Sequence, residues 1–365
     1  MQPPPPLDDD VRGDDERTSA PPAHELNARR LRSVFLDLFG RPPYLAERER
    51  WAGQGLSDLL EVALDRSSEL HAELWGNWLD EQLYYFLLID NFRPQAERVR
   101  TLPEDLVGRR IGVRDAIHRI CLCSSFDQRN PGADTFVTVV MEQLLGIVVQ
   151  DDKRELEIGK RVYDGHPGRF LGQSGNSQAD VVRIAIEDNR MPRRFLAREY
   201  GRILRREPSS RDLRGWARDL DRNPYAYLEL LSEWLLSDAY VERLSELAPQ
   251  PNRMFVKSLH VDLFDRLPEE EESRRMRDAL DGLSDPGPLR WVIARLMLDS
   301  GRTLVPGRAQ IEDPTQWVGG LFERLLGRPA ESQELSEFVS VYHDPACRPQ
   351  TLVYALLTHP EYHHY

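Results

Sequence analysis

The chain has 365 residues, 40% of them hydrophobic, enough for two or three domains or one long array with a packed core. Its net charge is −13, and its positive charge is almost all arginine, the lysines being Lys153, Lys160 and Lys257. An acidic chain gains little from counterion release, so nucleic-acid binding is disfavoured. No run approaches the roughly 18 apolar residues of a membrane span, so none is expected.

Residues 1–26 open with "MQPPPPLDDDVRGDDERTSAPPA", rich in proline and acid and poor in apolar residues. Such a segment buries too little surface to offset its ordering entropy, so a disordered tail is expected. It has no basic region followed by an apolar one, so no secretory leader is read from it and the expected location is cytoplasmic.

The first folded element is a helix with Leu31, Val34, Phe35, Leu38 and Phe39 at helical spacing. It runs into "LFGRPP", which alone could be an anion-gripping loop or a turn between helices. The turn recurs. With Gly40 as position zero, related turns place Arg205, Asp265 and Gly327 at zero, and a weaker one places Gly146 there. The last three steps are 59, 60 and 62 residues, and the first is 106, so the first unit carries an insertion. One past zero stand Arg41, Arg206, Arg266 and Arg328; three past zero stand Pro43, Pro208 and Pro268. Seven past zero stand Glu47, Asp212, Glu272 and Glu334; eleven past, the large apolar Trp51, Trp216, Met276 and Phe338. Thirty-five past zero, two units carry Tyr240 and Tyr362.

Agreement at so many unlike positions makes the turn punctuation between helices. The zero residue is expected as a left-handed C-cap and the following arginine at the last helical carbonyls. The proline stops one helix, and the acid falls in the first turn of the next. Ser209 and Asp212 form a capping-box pattern. Each unit then reads helix, turn, helix, loop, helix, the third being for example Ala226 to Ser237. The expected divisions are 27–130, 131–192, 193–250, 251–310 and 311–365, the second degenerate. Strand signals are poor, and the one β-branched run, "DTFVTVVMEQLLGIVVQ", aligns with the turns and is expected to be helical. Units this small stack to bury their apolar faces, which predicts an all-α array or bundle of tandem helical units.

Within the insertion, Trp75, Trp78, Leu79, Gln82, Leu83 and Phe86 share a helical face and are expected in a central buried helix. Asp80, Glu81 and Asp90 supply carboxylates that nothing in the sequence brings together. "DNFRP" and "SSFDQRNPGAD" (Ser124 to Asp134) are expected to be loops, where a site would first be sought. Cys121 and Cys123 form C-x-C in an apolar segment and are expected as buried free thiols; Cys347 is the third cysteine. His343, His359, His363 and His364 lack carboxylate or thiol at ligand spacing, so no metal is expected. No nucleophile elbow, zincin, P-loop or dinucleotide-binding motif is present, so neither catalytic residues nor a cofactor is assigned.

Residues 195–245 and 316–365, with their GR-type turns, acid, large apolar residue and "LLSDAY" or "LLTHPEY" endings, resemble the helical repeat of phycobilisome-linker-like domains, a module also found in bacterial surface and RTX-type proteins. Residues 30–92, with "LDLFGRPPYLAE" and "LWGNWLD", are similar to the start of a domain of unknown function in planctomycete proteins that carry cytochrome-like segments. The haem motif C-x-x-C-H is absent, which removes the redox association. The resemblances supply no catalytic residues. The first implies a helical connector in a larger assembly. The expected function is therefore non-enzymatic: a scaffold or linker with protein partners and a possible oligomer. The alternative is an enzyme or enzyme subunit with its site in residues 75–134.

Overall fold

The computed structural model describes residues 25–88, 96–244 and 246–365. The expected disordered tail therefore lies almost wholly outside the described residues, as does "DNFRP", Asp90 included.

Four helices run into similar turns: Ala28–Phe39, Arg190–Leu204, Asn252–Phe264 and, after one further residue, Leu326, Pro314–Leu325. Each leads into a residue with left-handed backbone, Gly40 (φ 66°), Arg205 (52°), Asp265 (52°) and Gly327 (69°). A single left-handed residue reverses the chain and frees the next peptide for a new direction. Glycine is needed most at Gly40, where a Cβ would stand 2.4 Å from Asn77 Oδ1. Asn77 is held there because its amide donates to the Leu38 carbonyl at 3.1 Å. At the two turns without glycine a side chain fits and is used. Arg205 donates to the carbonyls of Glu246 and Tyr365, both at 2.6 Å. Asp265 Oδ1 accepts from the Leu45 amide at 2.8 Å, so one turn caps the helix that follows another.

The helices after the turns are Leu45–Trp51, Ser210–Arg222, Glu270–Asp281 and Ser332–His343. Glu47, Asp212, Glu272 and Glu334 each lie in the first turn. Three of them accept from the amide of the preceding cap residue, Tyr44 (2.7 Å), Glu269 (3.0 Å) and Glu331 (2.8 Å). Asp212 instead takes the Ser209 hydroxyl at 2.6 Å, while its own amide donates to that hydroxyl at 3.1 Å.

The arginine after zero, expected at the last helical carbonyls, does not bind them. It turns forward. Arg41, Arg266 and Arg328 each donate to the carbonyl of the next residue (3.0, 2.8 and 3.2 Å) and to the acid six residues on, Glu47, Glu272 or Glu334. A full carboxylate within reach outcompetes the partial charge of a helix end. Arg206 differs, pairing with Glu242 at 2.7 Å.

Third helices follow: Leu56–Leu64, Ala226–Leu235, Gly287–Asp299 and Pro349–Leu357. Buried apolar side chains gather in two clusters, one between Leu26 and Leu244 and one between Phe255 and Tyr362. The fold is all-α among the described residues except for one hairpin, Gly168–Phe170 paired antiparallel with Gln173–Gly175. Its two-residue loop holds Leu171 and Gly172 at positive φ, and the Leu171 amide donates to Glu155 at 2.7 Å. Leucine in that conformation gives no turn signal, which is why the hairpin is not legible in sequence. A second correction concerns Ser124 to Asp134. It is not a loop: Ser124–Arg129 and Gly132–Val139 are helical. Phe126 is buried edge-on against Phe136, with ring centroids 5.2 Å apart, and this contact draws the polar segment into helical turns. The β-branched run is helical as far as Leu145, with a π-helical turn over Val140–Leu144; from Gly146, at φ 70°, through Val148 and Val149 it is loop and turn, not helix.

Candidate interaction surface

The aromatic insertion is a packed core. The Glu69–Trp78 helix continues as a π-helical segment, Leu79–Tyr85. Trp75 and Trp78 meet edge-on at 5.4 Å, and both face Tyr227, which also meets Phe195 at 5.3 Å. His71 is wholly buried beside them, accepting from Trp75 Nε1 at 3.2 Å with its other ring nitrogen against the Ala63 carbonyl at 3.1 Å. Glu81 is not paired with another carboxylate; it takes Arg253, whose guanidinium stacks 3.9 Å over Tyr85. Asp90 lies outside the described residues. Cys121 and Cys123 are buried free thiols, and burial pushes the Cys121 thiol well above its usual range, so it is an unreactive core group. Among the described residues no group of three His, Cys, Asp or Glu side chains gathers as metal ligands.

Two buried ionic knots were not singled out by the sequence. Asp37, three residues before zero, takes Arg243 (2.5 Å) and the Tyr240 hydroxyl (2.7 Å) on its carboxylate, and Arg202 donates to its carbonyl at 2.8 Å. Asp262, also three before zero, takes Arg32 (2.9 Å), Arg48 (3.4 Å) and the Tyr362 hydroxyl (3.1 Å), and Arg324 donates to its carbonyl. The knots agree at three places, an aspartate at −3, an arginine at −3 on its carbonyl and the +35 tyrosine on its carboxylate, while the arginines on the carboxylates, Arg243 in one and Arg32 and Arg48 in the other, stand at different places. Sequence had marked both tyrosines, and the alternation Asp37, Arg202, Asp262, Arg324 was there to be read.

The turn residues do not converge. Gly40, Arg41 and Pro43 belong to one turn, Arg206 and Pro208 to another, Arg266 and Pro268 to a third, and Gly327 and Arg328 to a fourth. Each arginine is taken by acids of its own segment: Arg41 by Glu47 and Glu73, Arg328 by Glu334 and Glu361. These arginines hold the turns and are not arranged around a common ligand position.

Buried and half-buried histidines contribute to the pH response between pH 5 and pH 7. Burial holds His71, His118 and His260 below the ordinary histidine value, and burial with the nearby Arg290 charge pushes His363 down to about 4. A lowered folded-state value means the unfolded chain binds more protons, so the stability is present above pH ~6.5 and is lost as pH falls. A melting temperature that declines from pH 7 to pH 5 is expected, and a flat profile there would contradict the burial of these rings. Below that range Glu334, held down to about 2 chiefly by Arg328, adds a second loss as the pH falls from ~4.5.

One helix leaves an apolar face uncovered. On Gly287–Asp299, Ile293, Ala294, Met297 and Leu298 face the core. Trp291, Val292 and Leu296, 45, 51 and 66% exposed, point outward. The other third helices expose polar or small groups there: Ser57, Asp58 and Glu61; Glu229 and Glu233; Thr351 and Ala355. Leu283 and Leu304, on either side of this helix in sequence, are also exposed. Single exposed apolar residues are ordinary, but a tryptophan and two aliphatics on one outward helical face make this the candidate contact surface. Sequence reasoning did not single it out, because a helix apolar on both sides carries no sign of which side stays uncovered.

No family model, no curated protein and no solved structure matches the chain.

Proposed function

We propose that the protein is a non-enzymatic helical scaffold that joins other proteins into an assembly in the cytoplasm. The observation that carries this is the outward apolar face of Gly287–Asp299, set on a chain whose buried carboxylates Asp37, Glu199 and Asp262 are spent on internal ion pairs. Aromatic and aliphatic anchors on a rigid element are what a protein interface uses, and rigidity keeps the ordering cost of binding low. We read the four turn-bearing segments as tandem units, with the linker-like resemblance of 195–245 and 316–365 pointing the same way. No helix among the described residues is long and apolar enough to cross a membrane. The test is affinity purification of the full chain from its host at native expression. A protein recovered in fixed stoichiometry is expected; a chain that elutes alone as a monomer would overturn the proposal.

A further inference from the structure

We infer that the Gly287–Asp299 face docks an amphipathic helix with an acidic flank, supplied by a different protein. This rests on the scaffold proposal and names the chemistry of its partner. The exposed anchors Trp291, Val292 and Leu296 sit at i, i+1 and i+5, the stripe that a second helix packs along with apolar residues at i, i+3, i+4 and i+7. One border of the stripe, toward the Pro349–Leu357 helix, carries a surplus positive charge although the chain is strongly acidic. Arg295 (2.7 Å) and Arg348 (3.5 Å) share one carboxylate, Asp299, which leaves a surplus positive charge beside Leu296. Arg295 also stacks over Tyr354, 5.7 Å from its ring centre, which holds the guanidinium at the edge of the stripe.

A second copy of the chain fits this face less well. An antiparallel pairing that sets Val292 against Leu296 of the other copy is centred on residue 294, which returns the two Arg295 side chains to within two residues of each other. An acidic flank on a different helix meets the positive border instead, and its apolar stripe covers the tryptophan.

The probes are two designed 18-residue amphipathic peptides with the same leucine stripe, one flanked by glutamate and one by lysine. The chain carries seven tryptophans. Labelling with 5-fluorotryptophan and assigning Trp291 by Trp291→Phe gives a resonance at the site itself. The Glu-flanked peptide is expected to shift the Trp291 resonance saturably and leave those of buried Trp75 and Trp78 in place. The Lys-flanked peptide is expected to bind about three- to fivefold more weakly, the size of an exposed charge contact. Arg295→Glu is expected to reverse that preference. Leu296→Glu is expected to weaken both peptides at least about tenfold at an unchanged melting temperature, because the side chain is mostly exposed in the free chain. The inference is overturned if neither peptide shifts Trp291, or if the Lys-flanked one binds as well. It is also overturned if the Trp291 resonance moves with chain concentration alone, which would give the face to a second copy. If the peptides fail while a stoichiometric protein still co-purifies, this face is the wrong one and the scaffold proposal stands.

Discussion

Arg243→Met is expected to lower the free energy of unfolding by about 3–5 kcal/mol, the usual consequence of leaving a buried charge without its partner. Arg243 and Asp37 are each about 1% exposed and meet at 2.5 Å. Removing the guanidinium strands the Asp37 carboxylate, with only the Tyr240 hydroxyl on its side chain. Burial raises the pKa of Tyr240 well above the ordinary phenol value and the neighbouring carboxylate raises it further, so Tyr240 stays a neutral donor and does not replace the lost charge. The double variant Asp37→Leu with Arg243→Met is expected to recover much of the loss, since the desolvation of both charges disappears with them. Chemical denaturation of the single and double variants checks this. A single variant as stable as the parent would mean that water reaches Asp37.

Arg41→Met is expected to cost about 2–3 kcal/mol, and Arg266→Met less than about 1 kcal/mol, although the two arginines hold the same place in the turn. The difference is burial. The Arg41 side chain is 1% exposed, lies 3.8 Å over the Tyr44 ring and binds both Glu47 and Glu73. That of Arg266 is 46% exposed and shares its single acid, Glu272, with water. Exposed pairs of that kind gain little, because hydration offsets the attraction and holding two long side chains in place costs entropy. Neither variant should alter binding at the Gly287–Asp299 face. Melting temperatures measured side by side, with the peptide titration as the second readout, separate a structural turn from a ligand loop. Equal losses for the two arginines would contradict the burial argument.

How much of this was legible in sequence depends on the range of the interaction. Helices and turns were legible because both are local: the apolar spacing before Gly40 and the acid at Glu47 act within a few residues. The left-handed state of Arg205 and Asp265 followed from alignment with glycine and not from their own preference. What the arginine after zero would bind was misjudged, because a helix end and a carboxylate six residues on are both within reach and only the folded turn decides between them. The knots around Asp37 and Asp262 join segments some two hundred residues apart, Asp37 to Arg243 and Arg32 to Asp262, and no local pattern reports such a distance. Leu171 entered a left-handed turn that only its neighbour Gly172 favours, and Phe126 made helix of a polar stretch through a contact with Phe136. The Gly287–Asp299 face was hidden for the opposite reason. A helix apolar on both sides reads as buried, and only the packed structure shows which side is left over.

That face carries the central claim, and its most direct test is quantitative affinity purification from the host with the parent chain and with Leu296→Glu, at matched expression and melting temperature. The scaffold account predicts that the stoichiometric partner of the parent falls at least about tenfold with Leu296→Glu, as expected when a charge is forced into an interface anchor. Equal recovery with both chains would contradict it and move the working surface elsewhere on the molecule.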